Sequence, residues 1–96
     1  MRICAARLRV LRNQVPIDDV VAALGIPAKR REGYLRFLCP LCEEFNTATN
    51  PRTNLARCFR CKRNFNPIDL VTAAEGRPFL EAVGRVERML RQFTER

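Results

Sequence analysis

Five cysteines occur in the 96-residue chain, and four of them form two matched pairs. Two residues separate Cys39 from Cys42, and two separate Cys58 from Cys61. Each Cys-x-x-Cys segment can turn tightly and direct two sulfurs toward one point, so that four thiolates surround a soft divalent ion. Because a closed tetrahedral shell leaves no position for water, the spacing predicts a structural site for one Zn²⁺ per chain.

Three other interpretations of the cysteines stay open at this point. Two disulfides would suit a secreted scaffold, but such chains usually carry a leader peptide and a higher density of cysteines. The sequence, which opens with Met1 and Arg2, shows neither feature. A redox dithiol needs one Cys-x-x-Cys, whereas two matched pairs favour a metal. Four thiolates also hold iron, although a strongly basic chain is an unusual electron carrier. The fifth cysteine, Cys4, is expected to be a small buried hydrophobic residue.

Basic residues dominate the charge of the chain. Lys and Arg number 18 against 10 Asp and Glu, which gives a net charge of +8. Most of the bases are arginines, which bind phosphate through two parallel hydrogen bonds. The excess lies on the cysteine-bearing segment 28–63. This pattern favours nucleic acid as a partner, but an ordinary solvated arginine-rich surface would look the same.

The size indicates one small α+β domain whose modest core a metal would reinforce. A basic amphipathic helix is expected over residues 1–15, either covering the domain or leading into it as a disordered segment. A short second helix should follow over 16–24. No apolar run has the length of a membrane span, so a cytoplasmic location is expected.

Strand signals then surround the two cysteine pairs. Residues 29–33 read as a basic turn, 34–39 as a strand that leads into the first pair, 43–51 as a loop, and 54–59 as a second strand. Together they predict a zinc ribbon, a small antiparallel sheet with two Cys-x-x-Cys turns.

Aromatic residues beside these bases are typical of surfaces that bind single-stranded nucleic acid. Phe37 and Phe59 are expected to fill the core around the metal, whereas the sequence leaves Tyr34 equally suited to core and surface. The predicted DNA contacts are Lys29, Arg30, Tyr34, Arg36, Arg57, Arg60, Lys62 and Arg63.

Two helices should close the chain. Asn66 and Pro67 are typical of a helix start and Gly76 of a helix end. After Pro78, apolar residues recur at steps of three and four and predict an amphipathic helix to residue 93, followed by a tail over 94–96. This helix either packs on the domain or docks a partner helix.

Four segments in order resemble the N-terminal zinc-binding domain of DnaG-type bacterial DNA primases. They are the strand and first cysteine pair 34–42, the Cys-Phe-x-Cys pair 58–61, Asn-Pro-Ile-Asp-Leu-Val at 66–71, and Pro-Phe-Leu-Glu-Ala-Val at 78–83. The resemblance covers roughly residues 15–92 and marks 16–93 as the zinc-binding domain. It implies a zinc ribbon flanked by helices that reads a single-stranded DNA template and helps a polymerase domain start an RNA primer.

The chain also departs from that family. The second metal ligand of the family is usually His, and this chain has none, so Cys42 would take that place. The family's Pro-Ser-Phe segment is not recognisable in residues 47–51, and no polymerase domain follows before Arg96.

No catalytic constellation is evident in the sequence. We therefore expect a non-enzymatic module that binds zinc and single-stranded DNA and acts in primer initiation beside a primase polymerase or helicase on another chain. The alternative is a protein-binding zinc adaptor in a replication or transcription complex.

Overall fold

The computed structural model describes residues 4–94, which form four helices and five strands. The elements in chain order are α1 (Ala5–Gln14), α2 (Ile17–Ala23), β1 (Ala28–Arg31), β2 (Tyr34–Phe37), β3 (Thr47–Asn50), β4 (Leu55–Cys58), β5 (Arg63–Phe65), α3 (Pro67–Glu75) and α4 (Phe79–Thr94). The strands follow one another in the order β1-β2-β3-β4-β5, and each pairs antiparallel with its neighbour. This architecture confirms the predicted α+β class and is compatible with a zinc ribbon.

The helices cover one face of the sheet and form the core with it. Apolar side chains from all four helices meet the inner sheet residues Phe37, Ala56 and Phe65 in a single buried cluster. We call the helix-facing side of the sheet its inner face and the opposite side its outer face. Within the described residues no helix packs on the outer face, so the five strands present a row of side chains on that side.

The first helix is part of this cluster. Leu11 of α1 and Val15 after it are fully buried, and α1 contacts both α3 and α4. Arg7 of α1 donates two hydrogen bonds to the carboxylate of Glu87 in α4, one of them 2.6 Å from Nε to Oε1. Cys4 is exposed, so the expectation of a buried residue there was wrong, because only the apolar side chains further along α1 reach the core.

The turn predicted over 29–33 and the loop predicted over 43–51 each contain a strand that the sequence did not indicate. Residues 28–31 form β1 although all four are exposed, and residues 47–50 form β3 within the expected loop. In both cases backbone pairing, and not apolar alternation, makes the strand: β1 pairs with all of β2, and β3 with all of β4. The short strand β5 has no counterpart in the sequence prediction.

The two closing helices begin where predicted. Asn66 caps α3: its Oδ1 accepts from the Asp69 backbone N–H at 2.8 Å, while the Asp69 carboxylate accepts from the Asn66 N–H at 3.2 Å. Gly76 ends α3 in the left-handed region at φ 62°, a conformation that glycine adopts at no steric cost. The α4 stripe packs on the domain, with Val83, Val86 and Leu90 buried. No helix in the described range 4–94 is both long and apolar enough to cross a membrane.

Candidate metal centre and outer groove

The structure brings the four paired cysteines together at one end of the sheet. Their sulfurs all lie within 4.8 Å of one another. The Sγ atoms of Cys39 and Cys61 are 3.9 Å apart, and those of Cys42 and Cys58 are 3.7 Å apart. A tetrahedral ion with metal–sulfur bonds of about 2.3 Å separates its ligands by about 3.8 Å. The cluster therefore fits one tetrahedral metal ion, and these separations are far longer than the ~2.05 Å of a disulfide.

Both cysteine pairs have the same local backbone. In the first, the Glu43 N–H donates to the Cys39 carbonyl at 3.0 Å; in the second, the Lys62 N–H donates to the Cys58 carbonyl at 2.8 Å. Glu43 and Lys62 each adopt a positive φ, 59° and 57°. This tight turn folds the second cysteine of each pair back toward the first. The two turns thus present two sulfurs each to the shared centre.

Backbone donors also point at the sulfurs. The Leu41 N–H lies 3.4 Å from Cys39 Sγ, and the Cys61 N–H lies 3.3 Å from Cys58 Sγ. Donors of this kind stabilise thiolate charge and orient the ligands around a metal.

The pKa values of three of the clustered thiols shift in different directions. Burial opposes ionisation of Cys58, but hydrogen bonds from the Cys61 backbone and from neighbouring side chains outweigh it and lower its pKa to about 6. Burial, followed by the adjacent cysteine side chains, raises the pKa of Cys61 to about 12. Burial likewise raises the pKa of Cys42. Four crowded thiols cannot all lose their protons without a cation between them, so the arrangement suits a metal better than free thiolates.

Strand register sorts the predicted DNA contacts between the two sheet faces. Residues directly opposite each other in neighbouring strands share a face. One row crosses all five strands on the outer face: Lys29, Arg36, Ala48, Arg57 and Asn64. Tyr34 lies two residues before Arg36 in β2 and is therefore on the same face, 52% exposed.

The remaining predicted contacts lie elsewhere. Arg30 pairs with Leu35 on the inner side and forms a 3.2 Å ion pair with Asp18 of α2. Arg60 lies in the second cysteine turn, 3.8 Å from a Glu44 carboxylate oxygen. Lys62 follows in that turn, and Arg63 is exposed at the start of β5. The structure therefore brings together half of the predicted set.

Phe59 was predicted to be in the core, and this was wrong. It is 62% exposed and lines the outer face. The reason is strand alternation: the neighbouring Cys58 must point its sulfur inward to the metal cluster, so the side chain after it points outward. Phe37 is fully buried as expected.

An open groove of about 400 Å³ runs along the outer face. We call it the outer groove; its lining includes Tyr34, Arg36, Ala48, Arg57, Phe59 and Asn64. Ala48 lies between Arg36 and Arg57 on the central strand, and its small side chain leaves space between the two arginines. The strands that carry the arginines lie about 10 Å apart at the usual strand spacing. The groove thus joins two exposed rings and two guanidinium groups around a small central residue.

The two groove arginines differ in their hydrogen bonds. Arg57 Nη1 donates to Asn64 Oδ1 at 3.2 Å, which orients the guanidinium along the sheet. Arg36 Nε is buried and finds no hydrogen-bond partner within residues 4–94. At the sheet edge, Lys29 Nζ lies 5.3 Å from the centre of the Phe45 ring, close enough for a cation–π contact. These groups make the outer face a basic surface with accessible aromatic rings.

No protein-family model matches the chain, and a search of curated proteins finds no relative. The chemistry of the site therefore rests on its own residues.

Proposed function

We propose that this protein is a zinc-binding and single-stranded DNA-binding module of the primase type. In this proposal it acts in primer initiation beside a polymerase or helicase that supplies the chemistry. The observation that carries the proposal is the outer groove, in which arginines flank Ala48 and two exposed rings lie on the same sheet face.

The groove has the two properties that single-stranded nucleic acid requires. Guanidinium groups neutralise phosphates, while aromatic rings stack on unpaired bases, which a duplex would keep hidden. The groove is open to solvent, so a nucleic-acid strand can lie over Ala48 between Arg36 and Arg57. Tyr34 and Phe59 lie on different strands and would support bases at two points.

The proposed ion is Zn²⁺. Thiolate ligands favour soft ions, and the sulfur separations suit a tetrahedral shell, which zinc adopts in structural sites. Tetrahedral iron would accept the same four ligands. Elemental analysis of the purified protein distinguishes the two, and we expect one zinc per chain.

Fluorescence anisotropy with a labelled single-stranded oligonucleotide, repeated across a salt series, tests DNA binding. The double variant R36A/R57A should weaken binding to every sequence and reduce the log–log salt slope by about 0.7 for each lost phosphate contact. The matched control, R88A/R91A, removes the same charge from α4, outside the groove. If both doubles weaken binding equally, overall charge and not the groove binds the strand.

Primer synthesis provides a second test. The protein alone should yield no labelled primer, whereas addition to its polymerase partner should raise initiation, because a tethered template is locally concentrated at the catalytic site. Product from the pure protein would contradict a role without catalysis.

A protein-binding adaptor is the second candidate, and one feature favours it. Phe79 and Leu80, at the start of α4, remain about half exposed, while Val83, Val86 and Leu90 further along the helix are buried. A docking module would keep its affinity for a protein partner in R36A/R57A and would show little DNA binding at any salt concentration.

A further inference from the structure

A glutamate lies in the otherwise basic outer groove. Glu32 is the only carboxylate among the described residues that line it. Within residues 4–94 it forms no ion pair with any Lys or Arg. A carboxylate repels phosphates, so it weakens the general attraction of the groove for a DNA backbone. The exposed carboxylate is therefore better suited to contact another part of a nucleotide than its phosphate.

Backbone conformation also disfavours glutamate at this position. Glu32 and Gly33 form the two-residue turn between β1 and β2, with φ values of 55° and 83°. Turns with two positive φ values prefer Asn-Gly or Asp-Gly, because most other side chains are strained in the left-handed region. The fold alone would be served better by asparagine. Two independent features, the charge and the strain, thus make Glu32 costly for binding and for folding.

Base recognition explains what the carboxylate can contribute. A carboxylate accepts hydrogen bonds and cannot donate them. Among the pyrimidines, cytosine presents an amino group at the ring position where thymine presents a carbonyl oxygen. A carboxylate in the groove attracts the first and repels the second. Tyr34 lies two residues away on the same hairpin and lines the same groove, so a base stacked on its ring has its edge within reach of this turn.

We propose that Glu32 selects the base bound in the outer groove: its carboxylate accepts a hydrogen bond from a base amino group, so the protein prefers cytosine to thymine. This inference rests on the proposed single-stranded DNA binding, but a failure of one can be told from a failure of the other. Oligo-dC and oligo-dT have the same backbone charge and similar ring size, so a difference between them isolates the base edge.

The experiment compares the affinity of the full chain for labelled oligo-dC and oligo-dT at neutral pH and fixed salt. The wild type should bind oligo-dC about tenfold more tightly, which corresponds to about 1.4 kcal/mol. In E32Q the ratio should fall to about one, since an amide can donate to thymine as well as accept from cytosine. Affinity for oligo-dT should rise in this variant and affinity for oligo-dC should fall.

A matched control separates base recognition from simple charge. Glu43 is also exposed and also has a positive φ, 59°, but it lies outside the groove. E43Q should change both affinities by the same small factor. The second variant, Glu32→Asn, suits the turn conformation and should fold at least as well as the wild type, with the same loss of preference.

Three results would overturn the proposal. Equal wild-type affinity for the two oligonucleotides would remove base selection and leave groove binding in place. An equal shift of both affinities in E32Q, matching E43Q, would reduce Glu32 to a general repulsive charge. Binding of neither oligonucleotide would remove the proposed function and this inference together.

Discussion

Asn54 connects the helical layer to the sheet, and its removal should destabilise the whole domain. The side chain is 8% exposed and makes three hydrogen bonds to backbone groups at the junction of α1 and α2. Its Oδ1 accepts from the Ile17 N–H at 2.8 Å, and its Nδ2 donates to the carbonyls of Val15 at 2.8 Å and Arg12 at 2.6 Å. Asn54 also has a φ of 56°, which asparagine tolerates and alanine does not.

The expected magnitude follows from these contacts. Three hydrogen bonds at about 1 kcal/mol each contribute about 3 kcal/mol. Alanine in the left-handed region adds about 1 kcal/mol of strain, so Asn54→Ala should lower the free energy of unfolding by about 4 kcal/mol. Since small domains have about 5 to 15 kcal/mol in total, this loss is at least about a quarter of the stability of the domain.

Urea denaturation at constant metal content measures the effect. With an m-value of about 1.5 kcal/mol/M, the midpoint of Asn54→Ala should fall by about 2.5 M. Asn54→Gly, which relieves the backbone strain but loses the same hydrogen bonds, should fall by about 2 M. A midpoint shift below about 0.5 M in both variants would refute the role assigned to this side chain.

Three further predictions concern the metal, an ion pair and two aromatic residues. Cys58→Ser should abolish stoichiometric metal binding in elemental analysis, whereas Cys4→Ser should retain it, because only the first removes a ligand from the cluster. The pKa of Glu87 is lowered by the hydrogen bond from its arginine partner on α1. The stability that this ion pair contributes is therefore present at neutral pH and is lost as the pH falls below 4.5 toward the folded-state pKa. Glu87→Gln should therefore be less stable than the wild type at pH 7 in thermal melts, and the difference should disappear in acid. Phe59→Ala should leave the urea midpoint unchanged yet weaken oligonucleotide binding by about 1 to 3 kcal/mol, whereas Phe37→Ala should lower stability by about 3 to 5 kcal/mol.

The cysteine cluster and the closing helices could be predicted because their signals are local. A Cys-x-x-Cys pair directs two sulfurs to one point whatever surrounds it, and the Asn66–Asp69 capping box needs only four consecutive residues. The strands β1 and β3 could not be predicted in this way. Ala28–Arg31 has no apolar alternation, and Thr47–Asn50 buries threonines in place of large hydrophobic residues. Their pairing partners, which lie elsewhere in the chain, determine their conformation.

The distribution of the basic residues between the two sheet faces could not be predicted from composition either, because it depends on the strand register. Arg30 and Arg31 are adjacent in the sequence, but strand alternation turns one toward Asp18 and the other toward the outer face. Once Cys58 is fixed as an inward residue, alternation places Arg57 and Phe59 outward. The outward direction of these two side chains can thus be predicted from the sequence, but only after Cys58 has been identified as a metal ligand that fixes the register of β4.

The metal cluster and the outer groove are built from the same strands, so a change in strand spacing at one would be felt at the other. Two residues beyond β2 the chain supplies Cys39, and β4 supplies Cys58, while the outer sides of these strands supply Arg36 and Arg57. If the ion tightens the spacing of these strands, it raises the affinity of the groove for its ligand. Reciprocity then requires that a bound strand raise the affinity for the ion by the same factor. A chelator should consequently need a higher concentration to remove half of the metal at equilibrium from a protein engaged with DNA than from a free one.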